Sequence, residues 1–525
     1  MLSEFSVNRN HHNLDKLDRV MGFLPFFSLE TWILLITSIC LFVLYCYSSY
    51  GVFEKMGIPG PKPRMFMGTV GRYNKVSYLD DLECAKKYGR VWGMYEFKRP
   101  MLAVMDPDMV KTILVKECFT YFINRRIFPT IGELYDTLFF SMGDDWRRIR
   151  NTLSPTFSSG RLKEMFSIVR HHSHKMVDRL RLKVDNNEVI ELKSVFAPYS
   201  LDAIASCAFS VDVDSINNPS SPIFIHSSKM FKLSVLVFIC QGYFPFLVPL
   251  LELLGFSIFD KTSSSYLRAV VEKIRAERNG QDSRDILQQM IDSQTVSESR
   301  REKQNKGLND HEISSQGILF LNAGLETSNS ALSFLAYNLA QNPEVMQHLQ
   351  KEIDETFPNK GQVQYEALMQ MEYLECVVNE SLRLYPPGTR LEREAKETVK
   401  INGIMIPKGM LVAIPVYALH RDPELWPEPE EFKPDRFSKE NKQNINPYAF
   451  LPFGLGPRNC VGMRFAKIIV KLALVEMLQN YSFSVCEETE IPLQMDPQGL
   501  LGPLKPIKLK LVPRSDASEH VDVCS

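Results

Sequence analysis

The chain has 525 residues, 45% of them hydrophobic and 11% aromatic, with a net charge of −1. That is enough apolar side chain for one large core or several domains, and the balanced charge excludes a protein that holds nucleic acid through an overall basic field. The ten cysteines (Cys40, Cys46, Cys84, Cys118, Cys207, Cys240, Cys376, Cys460, Cys486 and Cys524) include no CxxC pair and no His/Cys zinc framework, which suits a reducing compartment.

Residues 1–28 read as a polar extension. Residues 31–53, TWILLITSICLFVLYCYSSYGVF, then carry no charge. The run is long enough to span a bilayer as a helix, longer than the apolar core of a cleaved signal, and ends in Tyr45, Tyr47 and Tyr50, which suit an interface. The sequence therefore predicts a retained transmembrane anchor over 29–53. Lys16 and Arg19 precede it, and Lys55, Lys62, Arg64 and Arg72 follow, a bias that points the C-terminal body toward the cytosol. The sequons at Asn379 and Asn480 lie in helical patterns that read as buried, where a glycan has no room.

Residues 54–65 contain MGIPGPKPR, whose three prolines predict a stiff extended linker. VWGMYEFKRPMLAVMD (91–106) alternates and reads as a β-hairpin turning at Lys98-Arg99-Pro100. DPDMVKTILVKE and SGRLKEMFSIVRHHSHKMVDRLR have helical periods, and His171, His172 and His174 in the latter read as a solvated face. The Phe- and Leu-rich stretch 235–259 reads as core packing or, alternatively, as an apolar roof that dips into a membrane. The polar stretch 277–310 reads as a mobile loop with a helix at about 283–293 inside it. PEVMQHLQKEIDETF and MRFAKIIVKLALVEMLQN are further helices, and 399–417 is a second β-region turning at Asn402-Gly403 and Pro407-Lys408-Gly409. The expected fold class is mainly α with a small β region, a single large domain on an N-terminal anchor.

Three stretches can carry chemistry. The first, GILFLNAGLETSNSALSFLAYNLA (317–340), is apolar on nearly all sides, as suits a central helix. Within it Gly324 leaves space against the backbone, and Thr327 can bond back to the carbonyl of residue 323. Glu326, if buried, would resist ionisation as a proton donor does; a packing glycine with a polar kink explains the same residues. The second pairs ESLR (Glu380 and Arg383 one turn apart) with EFKPDRF, whose Arg436 can reach Glu380 from an irregular segment. The third is PFGLGPRNCVG (452–462). A helix begins just behind Cys460, so its amides and dipole are expected to lower the thiol toward thiolate. Gly454, Gly456 and Gly462 admit a flat ligand, and Arg458 can hold a carboxylate.

Together, PFGLGPRNCVG, the ESLR helix, PDRF and AGLETS resemble the cytochrome P-450 haem-thiolate monooxygenases. MDPDMVKTILVKECF, LSPTFSSGRLKEM, QMEYLECVVNESLRLYP and IPVYALHRDPELWPEP are similar to family 3, above all the vertebrate subfamily 3A. The resemblance runs from the anchor to about residue 512 and implies the cytochrome P-450 fold, with a catalytic domain at 66–512 and a polar tail at 513–525. It implies haem b with Cys460 as axial thiolate. Arg125, Trp146, Arg150, Arg393 and Arg458 match propionate-holding positions, and Phe453 matches the aromatic beside the proximal ligand. Ala323, Gly454 and Gly462 match haem-contacting positions. Glu326 and Thr327 match the acid–alcohol pair of proton delivery, and Glu380, Arg383 and Arg436 the structural triad. It implies dioxygen and lipophilic substrates (steroids, xenobiotics), and NADPH acting indirectly through NADPH–cytochrome P-450 reductase, with cytochrome b5 as an optional donor. It further implies a single-pass endoplasmic-reticulum protein facing the cytosol, with no nucleic-acid partner. Arg147, Arg148, Arg464, Lys467 and Lys471 form either a reductase dock or a solvated face.

Two residues depart from the subfamily pattern: Asn322 replaces phenylalanine, expected toward the distal pocket, and Leu325 replaces tyrosine. The same motifs also leave open a thiolate-haem isomerase acting on a peroxide, and a haem-binding sensor.

Overall fold

Ser28 caps helix α1 (Leu29–Tyr47): its Oγ accepts from the amide of Thr31 in the first turn. At 1.5 Å per residue these 19 residues span about 28 Å, enough to cross a membrane core. Ile33, Leu34, Ile36, Leu41 and Leu44 on it are exposed. The computed structural model describes residues 28–128, 130–231, 234–278, 285–299, 307–497 and 499–514. The N-terminal extension before Ser28 and nearly all of the C-terminal tail lie outside the described residues. The helix stops at Tyr47, short of the expected residue 53, because Gly51 takes a left-handed φ of 88° that turns the chain.

The proline-rich linker is extended, as expected, and it is also packed. The Gly93 amide donates to the Pro59 carbonyl at 2.8 Å, and Ile58 is buried. This holds the linker on the edge of a four-stranded sheet of order β1-β2-β7-β4. Its strands are β1 (Val91–Glu96), β2 (Arg99–Val104), β4 (Leu391–Glu394) and β7 (Leu411–Ile414). The hairpin turns at Phe97-Lys98, earlier than the sequence suggested, and Glu96 pairs with Arg99. Pro100 fits inside β2 because pairing with β7 begins only at Met101, so no partner asks for its missing N–H. Strands β5 (Val399–Ile401) and β6 (Ile404–Ile406) turn at Asn402-Gly403, as read. The two-residue β3 (Ile190–Glu191), with β8 (Tyr481–Ser484) and β9 (Lys508–Pro513), forms a sheet that periodicity did not reveal.

The helical body contains α2 (Gly143–Leu153), α3 (Ser159–Asp185), α4 (Lys193–Phe209), α5 (Asp310–Gln341), α6 (Pro343–Thr356), α7 (Glu372–Leu384) and α8 (Met463–Asn480). The central helix α5 starts at a capping box: Asn309 Oδ1 accepts from Glu312 N, and Glu312 returns a carboxylate to Asn309 N, both at 2.8 Å. It lies against α4 so closely that a Cβ on Gly324 would meet Ile204 Cδ1 at 2.0 Å. The space beside Gly324 is thus filled by a neighbouring helix. Within 277–310 the structure describes a helix at Ile286–Ser299; residues 279–284 and 300–306 of the expected loop lie outside the described residues. The stretch 235–259, read as core, forms short helices that expose Phe246, Leu250, Leu253 and Phe256.

Candidate active site

The segment before α8 presents Cys460. Its amide donates to Phe453 O at 2.8 Å, and Asn459 N donates to Gly456 O at 3.0 Å, which closes a tight loop over residues 453–460. Gly456 has φ 72°, and a Cβ there would stand 2.0 Å from the Leu114 carbonyl oxygen, so only glycine lets the loop lie on that neighbouring turn. Gly462 caps α8, whose first helical residue, Met463, lies three positions beyond the cysteine. The Cys460 side chain keeps accessible surface, so its sulfur is open to a ligand. Burial pushes its thiol up, against the pull of the Gly462 amide and of Arg150 and Arg125. The lowering expected from the helix dipole is therefore reversed in the protein alone, because desolvation of the thiolate outweighs three partial or distant positive charges.

Around this cysteine the chain gathers arginines without anions. Arg150 donates to the Asn459 carbonyl and to Asn459 Oδ1, both at 2.7 Å, pinning the residue before Cys460. Arg458 donates to Ser141 O at 2.8 Å and lies 4.3 Å over the Trp146 ring, while its buried Nε has no partner among the described residues. Arg125 reaches the Arg458 carbonyl at 3.5 Å. Arg393, in β4, donates to Glu392 O at 2.8 Å and also leaves a buried Nε unpartnered. Among the described residues none of the four has an ion-pair partner; Glu392 and Glu96 are held by the adjacent Arg126. Burial and mutual repulsion push Arg458 down to about 8 and Arg125 down to about 9. Burial also lowers Arg393 and Arg150. A cluster of desolvated guanidiniums around one sulfur is stable only with an anion among them, and a flat ligand with two carboxylates and an iron fits this donor set.

Behind the loop, the triad expected from ESLR and PDRF is assembled. Arg383 grips both Glu380 oxygens at 2.8 Å, and Arg436 Nε reaches Glu380 Oε1 at 3.2 Å. The Lys433 amide adds a bond at 2.9 Å. Arg383 also donates to the carbonyls of His420, Pro429 and Glu431, which ties an irregular segment to α7. His420 was not singled out by the sequence. Its Nδ1–H donates to Arg383 O at 3.0 Å and its Nε2 accepts from Leu451 N at 2.8 Å, linking the triad to the start of the cysteine loop. Those two bonds require the neutral ring, and burial, with Arg383 beside it, pushes His420 down to about 3. The unfolded ring protonates near 6.5 and the folded one resists, so this stability is whole above pH 6.5 and is lost as pH falls toward 3. At pH 5.5 the expected loss is about 1.4 kcal/mol. Urea unfolding at pH 7.5 and 5.5 checks this, and His420→Gln should flatten that part of the dependence.

On α5, Thr327 Oγ1 donates to Ala323 O at 2.6 Å, the back-bond read from the sequence. Glu326 on the same turn is not buried. It stands 3.6 Å from Lys193 Nζ and lines a cavity of about 540 Å³ with Lys193, Lys229, Asn329 and Asp496. Asn322 is buried with its Nδ2 turned back onto Ile318 O at 2.7 Å, and Leu325 is fully buried, so neither departure presents an open face. The suggested basic dock is largely neutralised. Arg148 is held by Glu312, and Lys467 and the buried Lys471 both bind Glu375. Arg147 and Arg464 remain exposed. His172 is buried in α3, contrary to the solvated face expected. Of the two sequons, Asn379 is buried as expected, and Asn480 is half-buried at the end of α8.

Residues 58–511 match the cytochrome P-450 family. The chain belongs to that family. Within it, cytochrome P-450 3A40 of Oryzias latipes is 55% identical over 503 residues, covering 95% of this chain and all of its own length. Cytochrome P-450 3A27 of Oncorhynchus mykiss is 55% identical, with 95% of this chain and 98% of the relative covered. Cytochrome P-450 3A29 of Sus scrofa is 49% identical, with 94% and 99% covered. This P-450 is therefore a haem-thiolate monooxygenase of subfamily 3A, which decides against the isomerase and sensor readings. The mainly helical single domain with small sheets is the cytochrome P-450 fold.

Proposed function

We propose that this P-450 oxidises lipophilic small molecules, steroids and xenobiotics, that reach it from the endoplasmic-reticulum membrane. The observation that carries this reading is where α1 meets the body. Phe42 stacks on Phe66 at 5.8 Å and on Phe244 at 5.4 Å, and Phe97 packs on Phe238 and Tyr243. A cavity of about 550 Å³ lies there, lined by Phe97, Phe128 and Phe238 together with the charged Lys98, Arg99 and Glu394. The apolar side chains exposed at 246–256 continue the same surface. Apolar substrates partition into lipid, so an entrance beside the anchor raises their local concentration.

In this reading 29–53 is the anchor, 54–65 the linker and 66–512 the catalytic domain, facing the cytosol. Cys460 would bind the iron of haem b through its sulfur. Arg125, Trp146, Arg150, Arg393 and Arg458 would hold the propionates, and Ala323, Phe453, Gly454 and Gly462 would contact the macrocycle. Haem, when bound, supplies the reductive activation of dioxygen, and the protein supplies position, electrostatics and protons. Thr327, tethered to Ala323 O, orients a hydroxyl on the inner side of α5, and Glu326, in contact with its own cavity and Lys193, passes protons from solvent. Glu380, Arg383 and Arg436 keep the cysteine loop in register. Electrons arrive from NADPH through cytochrome P-450 reductase, with cytochrome b5 as a second donor; of the suggested dock, Arg464 and Arg147, the latter loosely paired with Asp144, are the exposed cations.

Reconstitution with reductase and NADPH in vesicles tests the proposal: a steroid should yield a hydroxylated product. Failure to oxidise any apolar substrate while NADPH-dependent reduction proceeds would overturn it. In the same assay, Thr327→Ala is expected to lower product formed per NADPH consumed roughly tenfold, below the roughly 10²–10⁴-fold typical of general acid–base catalysis because water can replace the hydroxyl.

A further inference from the structure

Away from the Cys460 cluster, α3, α4 and the segment after α4 bring together one imidazole and two carboxylates that the monooxygenase reaction does not use. His172, Asp202 and Asp212 each place a ligand atom so that all three lie within 4.8 Å of one another. His172 is 2% exposed and Asp202 is fully buried, so two of the three are removed from water. Ser206 decides the state of the ring. Its Oγ–H donates to Val211 O at 3.0 Å, so toward His172 Nε2, at 2.8 Å, Ser206 Oγ can only accept. Nε2 therefore carries the proton, and Nδ1 carries a lone pair. That buried Nδ1 has no partner among the described residues. Asp202 is fixed by the backbone: the amides of Ser215 and Ile216 donate to its two oxygens at 2.8 and 3.1 Å, and the carboxylate has lone pairs beyond those two bonds.

We propose that His172, Asp202 and Asp212 form a binding site for a divalent transition-metal ion of the zinc type. A neutral imidazole with two carboxylates gives a mixed nitrogen–oxygen set whose charge such an ion cancels, and soft thiolate donors are absent from it. Ser206 and the two backbone amides act as the outer contacts that orient these ligands. Bonds of about 2.0–2.1 Å require ligand atoms about 3.3 Å apart in a tetrahedron, so the cluster must contract. Asp212 can supply that movement: its side chain is 57% exposed and it lies in the irregular segment after α4. Its exposure also leaves room for water as a fourth ligand. Lys175 pairs with Asp214 at 2.5 Å and more loosely with Asp212 at 3.7 Å, so a bound ion displaces its ammonium from Asp212 and leaves it on Asp214. The bound ion pins the chain after α4 onto α3.

The test is titration of Zn2+ against a chromogenic chelator with the full-length, haem-loaded protein, its Asp212→Asn variant and its His172→Gln variant. One Zn2+ per chain is expected in the wild type, held at least about tenfold more tightly than in either variant. Saturating Zn2+ should raise the wild-type thermal midpoint and leave that of Asp212→Asn unmoved. Equal affinity in the wild type and Asp212→Asn, or no binding to the wild type at about 100 μM, overturns the site. Asp212 is exposed, so its variant folds and decides the matter even where the buried His172→Gln does not.

Discussion

Cys460→Ser is expected to abolish the red-shifted Soret band of the reduced, carbon-monoxide-treated protein and to bring NADPH-dependent product formation to background. The substitution keeps the size of the side chain and the amide bond from residue 460 to Phe453 O, so the loop, held by Gly456 and by Arg150 on Asn459, retains its shape. What changes is the donor. Serine offers a hydroxyl that stays protonated, whereas the thiol becomes a thiolate once an iron is present to bind it, even though burial alone pushes it up. Folded protein that keeps the red-shifted band would remove Cys460 from the axial position. Cys118 is then the cysteine to replace, because it lies against Arg393 within the same arginine cluster.

Glu380→Gln should cost about 3–5 kcal/mol of stability, a large share of the roughly 5–15 kcal/mol that holds a typical domain. The attraction within a buried ion pair barely exceeds the cost of desolvating it; breaking the pair is what is expensive. Glutamine leaves the fully buried Arg383 and the nearly buried Arg436 with no anion between them, and Arg383 cannot escape because three carbonyls also hold it. The cost should appear as a lower unfolding midpoint and as loss of haem from the expressed protein, since His420 and Leu451 connect this network to the cysteine loop. Glu83→Gln, which breaks the exposed pair with Lys86, should change stability by less than about 1 kcal/mol. Comparable effects from the two substitutions would show that the Glu380 network is not what holds the loop.

Much of the molecule was legible in the chain because its signals are local. The anchor is a matter of composition, α3, α6 and α8 of a 3.6-residue period, and the β5–β6 turn of Asn-Gly chemistry. Thr327 bonds to the carbonyl four residues back, so its partner follows from helical spacing alone. The hairpin was legible too, although its turn was misplaced by the proline at residue 100, which β2 accommodates at a position with no second partner.

The residues that eluded the sequence act across large separations. No local pattern singled out His420, Asn459 or Ser141, and each acts through bonds to groups that folding brings near. Burial was also decided elsewhere. Glu326 looked enclosed on an apolar helix but faces a cavity, while His172 looked solvated in a histidine-rich run but lies between α3 and α4. Lys471 was read as exposed because a lysine usually is, yet α8 buries it and Glu375 neutralises it.

By itself the sequence determined the chemistry on offer: a cysteine in a glycine-rich loop before a helix, an acid–alcohol pair in a central helix, and a charged triad split between a helix and an irregular strand of prolines. The first two depend on neighbours within a few positions, and the triad on two short motifs that each stand out alone. Only the tertiary structure decided that Arg125, Arg150, Arg393 and Arg458 converge without an ion-pair partner among the described residues. Arg125 and Arg150 reach the residues beside Cys460 across more than 300 positions of chain, and a charge reveals its cost only when folding removes the water around it.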